Sequence, residues 1–328
     1  MLVRVFILMI LFASSSVSAE LLISYFDGCE FPDEFSMFDV GKIEIYLSSK
    51  SNYTLVVEYC KMQNYSKGLE INWLGHVLDV NKDARRWTGR MNWGGVDYRV
   101  YYVIHDIDHN GVVSWLRIYS YWPEKIVVDR EKTIPGWVLS KVYNMTIPSY
   151  VVVPGVSELR YASNINIRLY DLPKGDYSIG LSEIKDRWVT LVEDDYDGLP
   201  LDLRSIKARL DKDVLTIRYE FYNPLPKPWK GASVHCYLPD FSLAEKLFGP
   251  NIFLDKGRLD IAWHTPLPKG INPLVSTNMR GNMIEYRINT IWLHVDLNDR
   301  LSLNKLYTSC TIDDFVPGEK WIKLSTPS

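Results

Sequence analysis

The chain has 328 residues, 47% of them hydrophobic, and a formal net charge of −3. That balance, without any basic cluster of the nucleic-acid kind, gives no reason to expect nucleic acid or an anionic membrane as a partner. The length allows two domains, each with a sizeable core.

The first nineteen residues have the layout of a secretory signal. Arg4 precedes an apolar run over 5–12, and Val17, Ser18 and Ala19 supply the small-residue cleavage pattern. The expected mature chain begins at Glu20. The apolar run is short for a bilayer span of about 20 residues. No later segment is apolar for long enough, so no transmembrane segment is expected after cleavage.

From there the chain reads as strands. KIEIYLSS, YTLVVEY, YRVYYVIHD, SWLRIYSY, SIKARL, VLTIRYEFY and RLDIAW alternate apolar and polar residues, with Gly, Pro, Asn and Asp between them. Helical spacing is confined to FSLAEKLFG (241–249). FDVGKIEIYLSSKSNYTLVVEY (38–59) matches LDLRSIKARLDKDVLTIRYEF (201–221) as a repeated hairpin. Asp39 aligns with Asp202, Ile43 with Ile206 and Leu47 with Leu210. With a turn three residues shorter in the second copy, Leu55 aligns with Leu215, Val57 with Ile217 and Tyr59 with Tyr219. GHVLDV (75–80) then corresponds to VHCYLPD (234–240), setting His76 against His235, and GVDYRVYYVIH (95–105) to GRLDIAWHT (257–265). The fold class expected is all-β: two tandem antiparallel jelly-roll-like β-sandwiches, residues 20–185 and 186–328, after a signal at 1–19.

Four cysteines on an exported chain invite disulfides and allow three pairings. Cys29–Cys60 with Cys236–Cys310 keeps each bond inside one half. No C-x-x-C spacing favours zinc. Asn52, Asn64 and Asn144 begin sequons that could carry glycans.

An acidic loop, a hairpin beginning with an L-D pair, an aspartate-bearing loop, a G-x-D-Y strand and a closing D-D-F-x-P-G form a recurring series. EDDYDGLPLDL (193–203) and TIDDFVPGEKW (311–321) carry it in the second half, LDVNKDARRWTG and GVDYRV in the first. The series resembles extracellular sandwiches of the family-9 carbohydrate-binding modules and DOMON-type domains. That resemblance implies a two-sheet sandwich that binds sugar, or haem in some DOMON branches, often with structural calcium.

Three kinds of site follow. Asp79, Asn81 and Asp83 alternate on a loop, with Asp97 where the chain re-enters a strand, as a calcium ion's six to eight oxygens would require. Asp106, Asp108 and Asn110 repeat the spacing, but Arg117 stands where an EF-hand needs its bidentate Glu, and a hairpin turn accounts for them equally well. In the second half, Asp194 and Asp197 would meet Asp313 and Asp314 if the first and last strands lay side by side, and a cation would relieve their repulsion. Trp87 and Trp93, beside Arg86, Arg90 and Asn92, suit the flat face and hydroxyl rim of a sugar; Trp73 and Trp263 suit it less. No G-x-S-x-G, H-E-x-x-H or P-loop is present. The expected function is non-catalytic binding of glycan or another cell-surface component. The alternatives are a structural component of an extracellular surface layer or appendage and, third, a glycan hydrolase.

Overall fold

The computed structural model of the chain describes residues 20–49, 52–61, 68–79, 158–170, 172–229, 231–265, 270, 272–316 and 322–323, and the backbone of four strands between 98 and 148. The expected signal, residues 1–19, lies outside the described residues.

The protein is all-β. The first half contributes β1 (Glu20–Phe26), β2 (Val40–Ser49), β3 (Asn52–Tyr59), β4 (Leu69–Asp79), β5 (Tyr98–His105), β6 (Trp115–Trp122), β7 (Lys125–Lys132), β8 (Val142–Pro148) and β9 (Glu158–Leu169). Then come β10 (Ser178–Gly180), β11 (Val189–Glu193), β12 (Leu203–Asp211), β13 (Val214–Phe221), β14 (Ala232–Tyr237), β15 (Phe241–Leu243) and β16 (Lys246–Phe253). The chain continues through β17 (Arg258–Trp263), β18 (Leu274–Arg280), β19 (Met283–Asn289), β20 (Arg300–Leu303), β21 (Thr308–Val316) and β22 (Ile322–Lys323). FSLAEKLFG is not helical: it folds into β15, a tight turn with Ala244 and Glu245 at positive φ, and the start of β16. Phe241 and Phe248 stack across that hairpin, so their helix-like spacing comes from a turn.

Three antiparallel sheets result. A four-stranded sheet runs β1-β2-β3-β8 and a five-stranded one β11-β12-β13-β19-β18. A 13-stranded sheet has the central order β16-β14-β21-β9-β4-β5. The closing strands of the two halves, β9 and β21, pair along their lengths, from Thr308 opposite Leu169 to Val316 opposite Tyr161. The halves therefore share one sheet.

The repeated hairpin is present, with a different register from the one read in the sequence. Leu47 faces Tyr53 and Ile43 faces Val57, whereas Leu210 faces Leu215 and Ile206 faces Tyr219. The turn is one residue shorter in the second copy instead of three, so Val57 corresponds to Tyr219 and Tyr59 to Phe221. A slip of two residues keeps every side chain on its own face, and alternation alone cannot detect it. Asp39 and Asp202 do correspond. The Asp39 carbonyl accepts from Cys60 N at 2.8 Å and the Asp202 carbonyl from Tyr222 N at 2.9 Å. Each carboxylate also gathers the loop ahead of it: Phe31 N donates to Asp39 Oδ2, and Asp197 N and Gly198 N donate to Asp202 Oδ2.

One continuous hydrophobic cluster fills the space between the sheets. The inner face of the long sheet supplies rows such as Leu74, Ile165, Ile312 and Val234. Tyr219 and Tyr286 are fully buried opposite it. Their hydroxyls donate to the Pro239 carbonyl at 2.8 Å and the Asn251 carbonyl at 2.7 Å, tying the five-stranded sheet to the long one. Both expected disulfides form, Cys29–Cys60 and Cys236–Cys310. The second joins directly opposed residues of β14 and β21 on the inner face. Among the described residues no helix is long and apolar enough to cross a membrane.

Candidate functional site

Alternation along the two joined strands sorts their side chains by face. In β9, Ile165, Ile167 and Leu169 point inward, so Asn164, Asn166 and Arg168 point outward. In β21, Cys310, Ile312 and Val316 point inward, leaving Ser309, Thr311 and Asp313 outward. The pairings stack these outward residues into rows. Gly75, Asn164, Asp313 and Ser233 form one row. Trp73, Asn166, Thr311, His235 and Phe253 form the next, and Glu70, Arg168, Ser309, Tyr237 and Asn251 the third.

An outward face is normally solvated, yet Asn164, Asn166 and Asp313 are buried here. They are bound to one another, as burial of polar groups requires. Trp73 Nε1 donates to Asn164 Oδ1 at 2.6 Å, and Asn164 Nδ2 donates to Asp313 Oδ1. Asn166 Nδ2 donates to Thr311 Oγ1 at 3.1 Å and the Cys310 carbonyl at 3.2 Å. Burial pushes the Asp313 carboxyl up to about 7, and the bond from Asn164 pulls it the other way.

Over this floor lies a cleft of about 540 Å³. A bulge in β4 between Ile71 and Trp73 inserts Asn72 beside Trp73, and Asn72 Nδ2 reaches Asn166 Oδ1 at 2.6 Å. These two residues form one wall. Tyr237 and Asp240 follow from the end of β14, His264 from the end of β17, and Lys305 and Tyr307 from the approach to β21. Lys305 Nζ is 3.0 Å from Asp240 Oδ2. The Arg168 guanidinium lies over the Tyr307 ring at 5.2 Å, and Tyr170 packs on Tyr307 at 5.3 Å. Gly249 lets His264 and Asp240 approach, since a β-carbon there would stand 2.5 Å from His264 Nε2 and 3.2 Å from Asp240 Oδ1. Directly beneath, the Cys236–Cys310 bond locks the two strands that carry Tyr237 and Ser309.

The anticipated site residues fare differently. Arg86, Trp87, Arg90, Asn92 and Trp93 lie outside the described residues, as do Asn64, Asn81, Asp83, Asp97, Asp106, Asp108 and Asn110. Asn52 opens β3, and Asn144 sits in β8 opposite Val56. Asp79 is fully buried and paired with Arg160 at 2.5 Å, so a guanidinium supplies its counter-charge. Asp194 and Asp197 surround Asp202, where burial first, then the neighbouring carboxylates, push Asp194 up to about 6.

Asp313 and Asp314 do not act together, because successive residues of a strand face opposite ways. Asp313 joins the outer row. Asp314 points inward, accepts from Val40 N at 2.6 Å and is raised well above the usual carboxylate range, mainly by burial. Its charged neighbours are Asp39, Asp27 and Glu30. The strands expected to bring the two acidic pairs together belong to different sheets: β12, which follows Asp194 and Asp197, to the five-stranded one, and β21 to the long one. Among the described residues no three His, Cys, Asp or Glu side chains are placed to hold a metal ion.

The two aligned histidines separate as well. His76 faces inward, bonds the Tyr161 hydroxyl at 2.6 Å, and is held neutral by burial, its pKa lowered to about 3. His235 faces outward and stacks on Phe253 at 4.3 Å. The segment 95–105 also lacks its expected counterpart: the strand beside β14, as β5 is beside β4, is β16 instead of β17. Sequence reasoning missed the cleft, although NINIRL (164–169) and SCTID (309–313) both alternate polar with apolar residues. No protein-family model, curated protein or solved structure matches the chain.

Proposed function

We propose that this is an exported, non-catalytic binding protein whose outer-face cleft recognises a glycan. The observation carrying the reading is the composition of the cleft. Trp73, Tyr237 and Tyr307 offer flat apolar surface for a sugar ring, and Asn72, Arg168, Ser309 and Lys305 offer hydrogen-bonding groups around it. The floor beneath is bonded into place, so little ordering is required on binding. Two disulfides suit an extracellular setting. The resemblance of the opening and closing motifs to sugar-binding sandwiches points the same way. Hydrolysis of a glycosidic bond needs two carboxylates across a cleft; among the described lining residues Asp240 is the single carboxylate, and it is bound to Lys305.

Affinity electrophoresis and a glycan array test the reading. Binding of a polysaccharide that weakens about tenfold or more in Tyr237→Ala and Tyr307→Ala is the expected outcome. Binding unaffected by either substitution would place the site elsewhere. The second reading, a component of an extracellular surface layer or appendage, draws on exposed Ile291, Trp292 and Leu297 at one end of the second half. It requires the purified chain to oligomerise, which light scattering measures.

A further inference from the structure

Resting on the glycan reading, we infer that the cleft selects electrically neutral sugars and discriminates against polymers carrying charge of either sign. Each of its two cations is balanced by a buried carboxylate. Lys305, 52% exposed, stands 3.0 Å from Asp240. Arg168, 38% exposed, lies directly across the β4–β9 pairing from Glu70, at 3.9 Å. Tyr170 hydrogen-bonds to both members of that second pair. Two carboxylates thus cancel two cations, and Asn72, Asn166 and Ser309 add only neutral amides and a hydroxyl to the lining.

Which member of each pair is exposed decides what a ligand meets. The cations reach solvent and the carboxylates do not, so the cleft offers N–H donors whose charge is already matched. Sugar hydroxyls accept such bonds and bring no charge of their own. An acidic sugar could hold Lys305 or Arg168 only by weakening its contact with Asp240 or Glu70, and a buried carboxylate deprived of its partner is costly. An amino sugar would set its ammonium against Lys305 and Arg168, which already repel each other, with no exposed carboxylate in the described lining to receive it. Tyr237, 39% exposed, and Tyr307, held in place by Arg168 and Tyr170, supply flat faces on which an uncharged ring can stack.

The test uses the full chain and a panel of polymers: a β-glucan and a galactomannan as neutral probes, polygalacturonate and dextran sulfate as anionic ones, and chitosan as a cationic one. Calorimetry or affinity electrophoresis should show a neutral polymer bound about tenfold or more tightly than every charged one. That affinity should change less than about twofold between roughly 0.05 and 0.5 M salt. Asp240→Asn leaves Lys305 unmatched, so it should raise the affinity for polygalacturonate about tenfold, and the gain should disappear in high salt. Equal or tighter binding of a charged polymer by the wild type overturns the neutral selectivity and leaves the glycan reading standing. Polygalacturonate affinity unchanged in a folded Asp240→Asn chain overturns charge matching as the cause of selectivity, and the inference with it. The wild-type comparison needs no variant, so it decides the selectivity even if Asp240→Asn folds poorly. Failure to bind any polymer of the panel overturns both the inference and the glycan reading.

Discussion

Replacing Asp313 by asparagine removes a charge while keeping the shape that holds Asn164. The wild-type carboxyl is 2% exposed, and burial raises its pKa from 3.8 to about 7 in the folded chain. Between those values the folded chain holds a proton that the unfolded chain has released, so stability falls as pH rises through that window. The group's contribution is complete below about pH 4 and lost by about pH 7. Three pKa units at 1.36 kcal/mol each set a ceiling of about 4 kcal/mol. Asp313→Asn lacks this dependence, and its amide oxygen can still accept from Asn164 Nδ2. The variant should match the wild type within about 1 kcal/mol at pH 4 and exceed it by up to about 4 kcal/mol at pH 8. Urea unfolding of both proteins at each pH measures the difference. Asp27, Asp39, Asp194 and Asp314 are raised in the same direction in both proteins, so the comparison cancels them. A difference that is the same at pH 4 and pH 8, or a wild type more stable at pH 8, would refute the reasoning.

Removing Cys236–Cys310 by double alanine substitution should destabilise the chain by about 4 kcal/mol, more than removing Cys29–Cys60, because it closes a separation of 74 residues against 31. Denaturant midpoints in the reverse order would contradict this. Tyr219→Phe leaves the buried Pro239 carbonyl without its donor and should cost about 1–3 kcal/mol by the same assay; a loss below about 0.5 kcal/mol would show the carbonyl satisfied otherwise. Gly249→Ala should change ligand affinity while costing about 1 kcal/mol of stability, since the added methyl displaces the far end of the His264 side chain and crowds Asp240 Oδ1. Unchanged affinity would remove His264 from the binding wall.

The hairpins could be read from sequence because Ile43, Ile45 and Leu47, like Ile206, Ala208 and Leu210, alternate with polar residues and face a core. Both disulfides followed from keeping each bond within one half. The pairing of β9 with β21 could not be read in this way, since alternation shows which face a residue takes and leaves its neighbour strand open. For the same reason Asn164, Asn166 and Arg168 resemble any solvent-facing set; only the sheet's breadth turns them into the floor of a cleft. Asp313 and Asp314 misled by adjacency. Two acids in succession suggest a shared ion in a loop, but a strand sends them to opposite sides of the sheet.

The ladder that unites β9 with β21 also bears on how the chain can be divided. Cutting the protein between its halves would lay bare two long rows of amide and carbonyl groups, each flanked by polar side chains already suited to a mate. A fragment ending at β9 would carry half of a seam, and its readiest remedy is a twin of itself. Either half expressed alone should therefore dimerise or precipitate, an outcome the intact polypeptide avoids by keeping both sides of that seam on one backbone.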